Sequence, residues 1–216
     1  MRIDYTAANP PQADATAERA CGAVVGPWIK DPSDPPTEDL LERVLQSENL
    51  KLAWQQVKRN QGAAGVDGRD IEETQAFLRT AWPSIRQALL DESYRPYPVL
   101  RVEIPKPGGG VRKLGIPTVV DRLIQQAVCQ VLTPIFDPGF SESSFGFRPG
   151  RSAHDAVRQA LAYQQDGREW VVDLDLQQFF DEVDHDILLA RIGRKVKDKR
   201  LKRLIHAYLR AGVMCT

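Results

Sequence analysis

Cysteine is scarce: Cys21, Cys129 and Cys215 are the only three, far apart and without a C-x-x-C pair, so neither a zinc site nor a disulfide framework is indicated. His154, His185 and His206 show no ligand-like spacing and read as structural. No run approaches the roughly 18 apolar residues of a membrane span, and the N-terminus lacks a secretory signal pattern. A protein of the reducing cytoplasm, with no membrane partner, is the expectation. An excess of one charge is also absent, since 29 Lys and Arg balance 29 Asp and Glu. The overall balance therefore selects no partner.

The balance hides a split. Residues 1–91 carry 10 Lys and Arg against 14 Asp and Glu, and residues 92–216 carry 19 against 15, so a polyanion should prefer the second half. With 216 residues and 42% hydrophobic content, the chain can bury an ordinary globular core. Six of its fifteen prolines fall in residues 1–36, with little apolar periodicity, which predicts a disordered leader.

Beyond the leader, Thr37 looks like a cap for a helix carrying Leu40, Leu41, Val44 and Leu45. A second helical pattern, Leu50–Val57, stops at NQGAAGVDG (Asn60–Gly68), whose glycines predict a loop with unusual backbone angles. A third spans about Ile71 to Leu90, and Pro83 inside it predicts a break or kink. The period then changes to two: VLRVEIP and VRKLGIP flank PKPGGG, a hairpin with a basic glycine-rich tip. That tip is not a Walker A loop, because it lacks the Gly-Lys-Ser/Thr ending and lies between strands.

The segment Val119–Phe136 returns to helical spacing, with Leu123, Ile124, Ala127, Val128, Val131 and Leu132 on one face, as a buried core helix would. After SESSFGFRPGRS, a helix from about Ala153 to Gln164 precedes the expected strand WVVDLDL. Near the end, residues 191–210 hold nine Lys and Arg interleaved with apolar residues, the mark of a solvated amphipathic face.

In an extended strand Trp170, Val172, Leu174 and Leu176 share one face, and Asp173 and Asp175 share the other. Two carboxylates at i and i+2 repel unless compensated, so the pattern fits either a divalent-metal site or an edge strand with solvated aspartates.

The run VVDLDLQQFFDEVDH resembles polymerase motif A of group II intron reverse transcriptases. NQGAAGVDG is similar to the family's N-terminal extension loop over the template, YRPYPVLRVEIPKPGGGVRKLGIP to its fingers hairpin, and FSESSFGFRPGRSAHDAV to its template-contacting block. Four blocks in the family's order, from about Leu40 onward, carry the resemblance.

The resemblance implies an α+β, right-hand reverse transcriptase fold: a helical extension over 37–91, fingers over 92–166, and the beginning of a palm over 167–216 with a short palm sheet. It implies RNA-directed DNA polymerisation by two-metal nucleotidyl transfer with two Mg²⁺ ions, in the service of intron splicing and mobility. The partners would be an RNA template, a DNA primer, deoxynucleoside triphosphates and intron RNA. Asp175 would bind metal, Leu176 would lend its carbonyl, and Phe180 would reject a 2′-hydroxyl. Lys106 and Arg112 would close on the triphosphate. Asn60, Gly62, Gly65, Arg148 and Arg151 would meet nucleic acid. Phe145 and Phe147 are expected in the core, and Asp181 and Asp184 as turn and capping residues.

Three alternatives stay open: a non-catalytic RNA-binding splicing maturase; a retron, diversity-generating or CRISPR-associated reverse transcriptase; and a metal nuclease using Asp173 and Asp175. The family's aromatic-x-Asp-Asp hairpin has no counterpart before Thr216, so the sequence is expected to be a truncated piece. Purified residues 1–216 should therefore fail to extend a primer, and a primer-extension assay showing robust synthesis would refute this expectation.

Overall fold

The computed structural model describes residues 37–106, 108–176 and 179–215. The expected leader 1–36 lies outside them, as do Pro107, Gln177, Gln178 and Thr216. The described elements are α1 (Leu40–Val44), α2 (Ser47–Asn60), α3 (Ile71–Leu90), β1 (Val99–Pro105), β2 (Val111–Ile116), α4 (Val119–Phe136), α5 (Ala153–Gln165), α6 (His185–Lys195), α7 (Lys199–Leu209) and β3 (Val213–Cys215). A 3-10 turn, Asp137–Gly139, follows α4.

The core forms around α4 because its apolar residues recur at helical spacing. Val120, Leu123, Ile124, Ala127, Val128, Val131 and Ile135 are buried against Leu40, Leu41 and Val44 of α1, Ala53 of α2, Leu89 of α3 and Leu201 and Leu204 of α7. Each fully buried Leu or Ile contributes about 1.5–3 kcal/mol. Thr118 starts α4 by accepting the N–H of Asp121 at 3.1 Å.

Asp70 opens α3 with a reciprocal capping box: its carboxylate accepts the Glu73 N–H at 2.8 Å, and Glu73 accepts the Asp70 N–H at 3.1 Å. The break expected at Pro83 does not occur, and α3 runs through it. Pro83 is exposed, and so is Arg79, whose carbonyl loses its helical partner and can turn to water.

The basic run 191–210 is divided into α6 and α7 at Val196–Asp198. Buried Asp198 caps two helices at once, accepting the N–H groups of Arg200 (2.9 Å) and Leu201 (3.1 Å) with one oxygen and that of Leu41 (2.9 Å) with the other. Thr37, expected as the cap of α1, instead accepts backbone N–H groups from Lys197 (3.2 Å) and Asp198 (3.1 Å) through its carbonyl. Asp39 precedes α1, with a left-handed backbone.

A second buried carboxylate ties the strands to the helices. Asp121, 1% exposed, accepts hydrogen bonds from the hydroxyls of Tyr94 (2.7 Å), Tyr208 (3.2 Å) and Thr118 (2.7 Å) and from the Tyr97 N–H (3.3 Å). The approach to β1, the start of α4 and the body of α7 thus meet at one side chain.

The sheet order is β2-β1-β3. β1 and β2 pair antiparallel from Leu100↔Ile116 to Pro105↔Val111, and β3 adds parallel to β1 from Val99↔Val213. The carboxylate segment expected as a strand is irregular over 168–176, and Trp170, Val171, Val172, Leu174 and Leu176 are exposed. No described segment offers it a ladder of hydrogen bonds, and a lone strand has nothing to hold it extended.

Asp121→Ala orphans the donors that converge on it and should destabilise the fold by about 3 kcal/mol or more in chemical denaturation. A loss below about 1 kcal/mol would count against this hub. Burial and the neighbouring carboxylate push the Tyr94 and Tyr208 hydroxyls well above the usual tyrosine range. The neutral forms belong to the fold, so their stabilisation is complete below about pH 10 and is lost as pH rises beyond it. Stability should fall by about 1.4 kcal/mol per tyrosine per pH unit there, and the Tyr94→Phe/Tyr208→Phe variant should show a flatter alkaline limb.

Candidate nucleotide and nucleic-acid interface

The β1–β2 tip is closed by the Lys106 N–H donating to the Gly110 carbonyl (3.0 Å) and the Gly109 N–H donating to the Lys106 carbonyl (3.1 Å). Gly109 (φ 90°) and Gly110 (φ 83°) occupy the left-handed region that glycine adopts without strain. Lys106 and Arg112 then line one open cleft of about 640 Å³, with Ile104, Pro105, Gly108 and Gly109. Neither cation has an ion-pair partner among the described residues. A cleft with two free cations and no acid in its lining suits a polyanion such as a triphosphate.

The loop after α4 uses its arginines differently. Arg148 is clamped to Asp137 (Nε to carboxylate, 2.8 Å), to the carbonyls of Ser141 (2.8 Å) and Ser144 (3.1 Å), and to the Asp137 carbonyl (3.0 Å). It also lies over the Phe140 ring at 5.5 Å. Arg151 pairs with Glu142 and covers the Phe145 ring at 5.6 Å. Both arginines are thus engaged in holding the loop. Phe145 is half-buried beneath Arg151. Phe147, expected in the core, is instead fully exposed, with a left-handed φ of 55° next to the clamped Arg148.

Asn60 ends α2, and its side-chain carbonyl accepts from Gln56 at 3.2 Å. Gly62 and Gly65 do not adopt left-handed angles; in this loop Gln61 (φ 45°) and Gly68 (φ 70°) do. Space is the reason for the other two glycines. A Cβ on Gly65 would lie 2.7 Å from the Thr118 backbone, and one on Gly62 would meet the Arg122 guanidinium. Arg122 in turn donates to the Ala63 carbonyl at 2.6 Å. The loop is thereby packed onto the start of α4, with Gly65 buried.

Asp173, Asp175, Leu176 and Phe180 lie on the exposed irregular segment, and the Phe179 and Phe180 rings meet edge to face at 5.4 Å. Asp181 sits in a turn and Asp184 caps α6 by accepting the Ile187 N–H at 2.9 Å, as expected. Carboxylate and carbonyl oxygens are the donors that Mg²⁺ takes. Among the described residues no group of three or more His, Cys, Asp and Glu converges, so Asp175 and the Leu176 carbonyl would hold Mg²⁺ only together with waters or substrate phosphates.

Asp121, Arg122 and Asp198 escaped the sequence reading. A carboxylate amid Val119, Val120, Leu123 and Ile124, three residues after Thr118, was the available signal for the first of them.

A family model described as reverse transcriptase (RNA-dependent DNA polymerase) matches residues 104–215. Protein YkfC of Escherichia coli K12 is 37% identical over 179 residues, covering 80% of this chain and 47% of that protein. Group II intron-encoded protein LtrA of Lactococcus lactis subsp. cremoris is 36% identical over 176 residues, covering 81% of this chain and 29% of LtrA. Nuclear intron maturase 1 of Arabidopsis thaliana is 32% identical over 94 residues, 44% of this chain and 13% of that protein. The chain spans about half the length of YkfC and under a third of LtrA. A solved Cas6-RT-Cas1--Cas2 complex includes a chain that superposes with TM-score 0.49 at 22% identity, covering 78% of this chain and 17% of that one, too distant to bear on function.

Gly65→Ala should destabilise the chain by about 1–3 kcal/mol, the usual cost of overpacking, and thermal unfolding measures it. The Arg148 hydrogen bond holds the Asp137 carboxyl below the usual carboxylate range. The clamp is therefore intact at neutral pH and is lost only as pH falls through that lowered value. Hydrogen exchange across residues 137–151 should be slow at pH 7 and should rise in Arg148→Lys, because an ammonium cannot reproduce the guanidinium fork.

Proposed function

The chain belongs to the reverse transcriptase (RNA-dependent DNA polymerase) family, and on that premise we propose that it forms the fingers and the first part of the palm of a group II intron-type enzyme. The reaction is template-directed addition of deoxynucleotides to a primer 3′-hydroxyl, within a protein that also assists intron splicing and mobility. The observation that carries this reading is the cleft shared by Lys106 and Arg112 at the hairpin tip. Phosphoryl transfer rests mainly on positioning and charge stabilisation, and these residues would present two cations to a triphosphate from a paired strand hairpin.

The domain plan follows the same reading: a helical extension through α3, fingers from β1 to α5, and palm from residue 167 onward. The loop Asn60–Gly68, packed on α4, would close over the template, with Asn60 reaching nucleic acid and Gly62 and Gly65 shaping its path. Arg148 and Arg151 would act by fixing the shape of the block facing the template. Asp175, Leu176 and Phe180 would line the reaction centre once a sheet supports their segment; the relatives extend well beyond the region this chain spans. The maturase role accords with the names of the intron-encoded relatives, and it needs RNA binding without chemistry.

The test uses a protein of the length of these relatives that carries residues 1–216. Lys106→Ala and Arg112→Ala should each lower kcat/KM for deoxynucleotides about 10- to 100-fold, mostly through KM, as expected for losing one charge-assisted contact. Asp175→Ala should abolish primer extension while intron splicing persists. DNA synthesis that survives Asp175→Ala would sink the catalytic assignment, and splicing lost with it would merge the two roles.

A further inference from the structure

Helices α2 and α3 both rest on α4 and hardly touch each other, which leaves a groove between them. In one stretch, of about 500 Å³, Leu50 and Trp54 of α2 face Leu78, Trp82 and Pro83 of α3, with Leu123 of α4 at the floor. The next stretch, of about 550 Å³, runs between Lys58 and Gln61 on one wall and Ile71 and Glu72 on the other. Gln75 and Arg79 line both, so the two are continuous. The wall supplied by α2 extends from Ser47 to Gln61, about 20 Å at 1.5 Å per residue.

Two properties of the lining narrow what fits. Leu50, Trp54, Leu78 and Trp82 pack against the core while also lining the groove, so each is only partly buried. Indole rings covered on one side are the anchors that protein interfaces favour, being large, rigid and cheap to order. Charge is the second property. Lys51, Lys58 and Arg79 line the groove against Glu72 alone, although residues 1–91 as a whole carry 14 acidic residues against 10 basic ones. Lys51 pairs with Glu48 at 2.8 Å on the surface, and Lys58 and Arg79 have no ion-pair partner among the described residues.

We infer that this groove docks an amphipathic helix of a protein partner, about 14 residues long, with an apolar stripe seated between Trp54 and Trp82 and acidic residues on its flanks. Helix-in-groove recognition sets apolar residues at i, i+3, i+4 and i+7 along such a channel, and the three cations select the sign of the flanks. A small molecule would be enclosed on most sides, whereas the groove is open along its length. A nucleic-acid strand would find the cations but only aliphatic surface at Leu50, Leu78, Pro83 and Leu123, on which bases do not stack. The groove shares no residue with the hairpin cleft of Lys106 and Arg112, and the inference does not depend on the polymerase reading.

The test selects phage-displayed helical peptides of about 14 residues, randomised at every position, on the 216-residue chain, and measures their binding by fluorescence anisotropy. The selected peptides should carry an apolar i, i+3, i+4, i+7 stripe flanked by Glu or Asp and bind with a Kd of about 10 μM or tighter. Trp82→Ala should weaken them about 10-fold or more. Because Trp82 also packs on the core, the exposed Lys58→Glu and Arg79→Glu provide the second measurement. Each should weaken binding about 3- to 10-fold at unchanged Tm, and replacing the facing acids of the peptide by lysine should restore it. A selection that yields no helix, a neutral or basic consensus, or an affinity indifferent to the charge reversals overturns the inference. A single-stranded RNA of about 20 nucleotides that displaces the peptides from the wild-type chain, but does not bind the charge-reversed ones, overturns it as well and gives the groove to nucleic acid.

Discussion

One buried carboxylate sets the frame of this molecule. Asp121 sits in the first turn of α4 with its lone pairs taken by Thr118, Tyr94, Tyr97 and Tyr208. A carboxylate removed from water is tolerated only when its hydrogen bonds are replaced, and the replacements come from three parts of the chain. The hairpin that carries Lys106 and Arg112 emerges from Tyr94 and Tyr97. The parallel strand β3 joins that hairpin just after α7, which holds Tyr208. The orientation of the basic tip relative to the helical core is thus decided at Asp121, and Asp198 does the corresponding work where α7 meets α1.

Two groups of residues that look like ligand contacts serve the scaffold first. Gly65 gives Thr118 room, so the loop after α2 lies directly on α4. The Arg148 guanidinium is taken up by the Asp137 carboxylate and three backbone carbonyls, and its neighbour Phe147 stands outward in a left-handed conformation. A bulky residue with that backbone is strained and persists only where its surroundings over-determine it. At the hairpin tip, by contrast, Lys106 and Arg112 line one cleft without an ion-pair partner among the described residues, and register places Arg112 opposite Ile104.

Local physics made much of the fold readable in sequence. The helical period of Val119–Phe136, the alternation on either side of PKPGGG and the helical pattern from Ile71 to Leu90 depend on neighbours within a few residues, and they specified α4, the hairpin and α3, while the ordered sequence blocks pointed to the family. The meeting of Asp121 with Tyr208, 87 residues away, the double cap at Asp198 and the packing of Gly65 on Thr118 could be decided only by tertiary structure, because each depends on a partner that no local pattern reveals. The carboxylate segment fails as a strand for the same reason: alternation prepares a strand, but only a neighbouring strand can supply the hydrogen bonds that make it one.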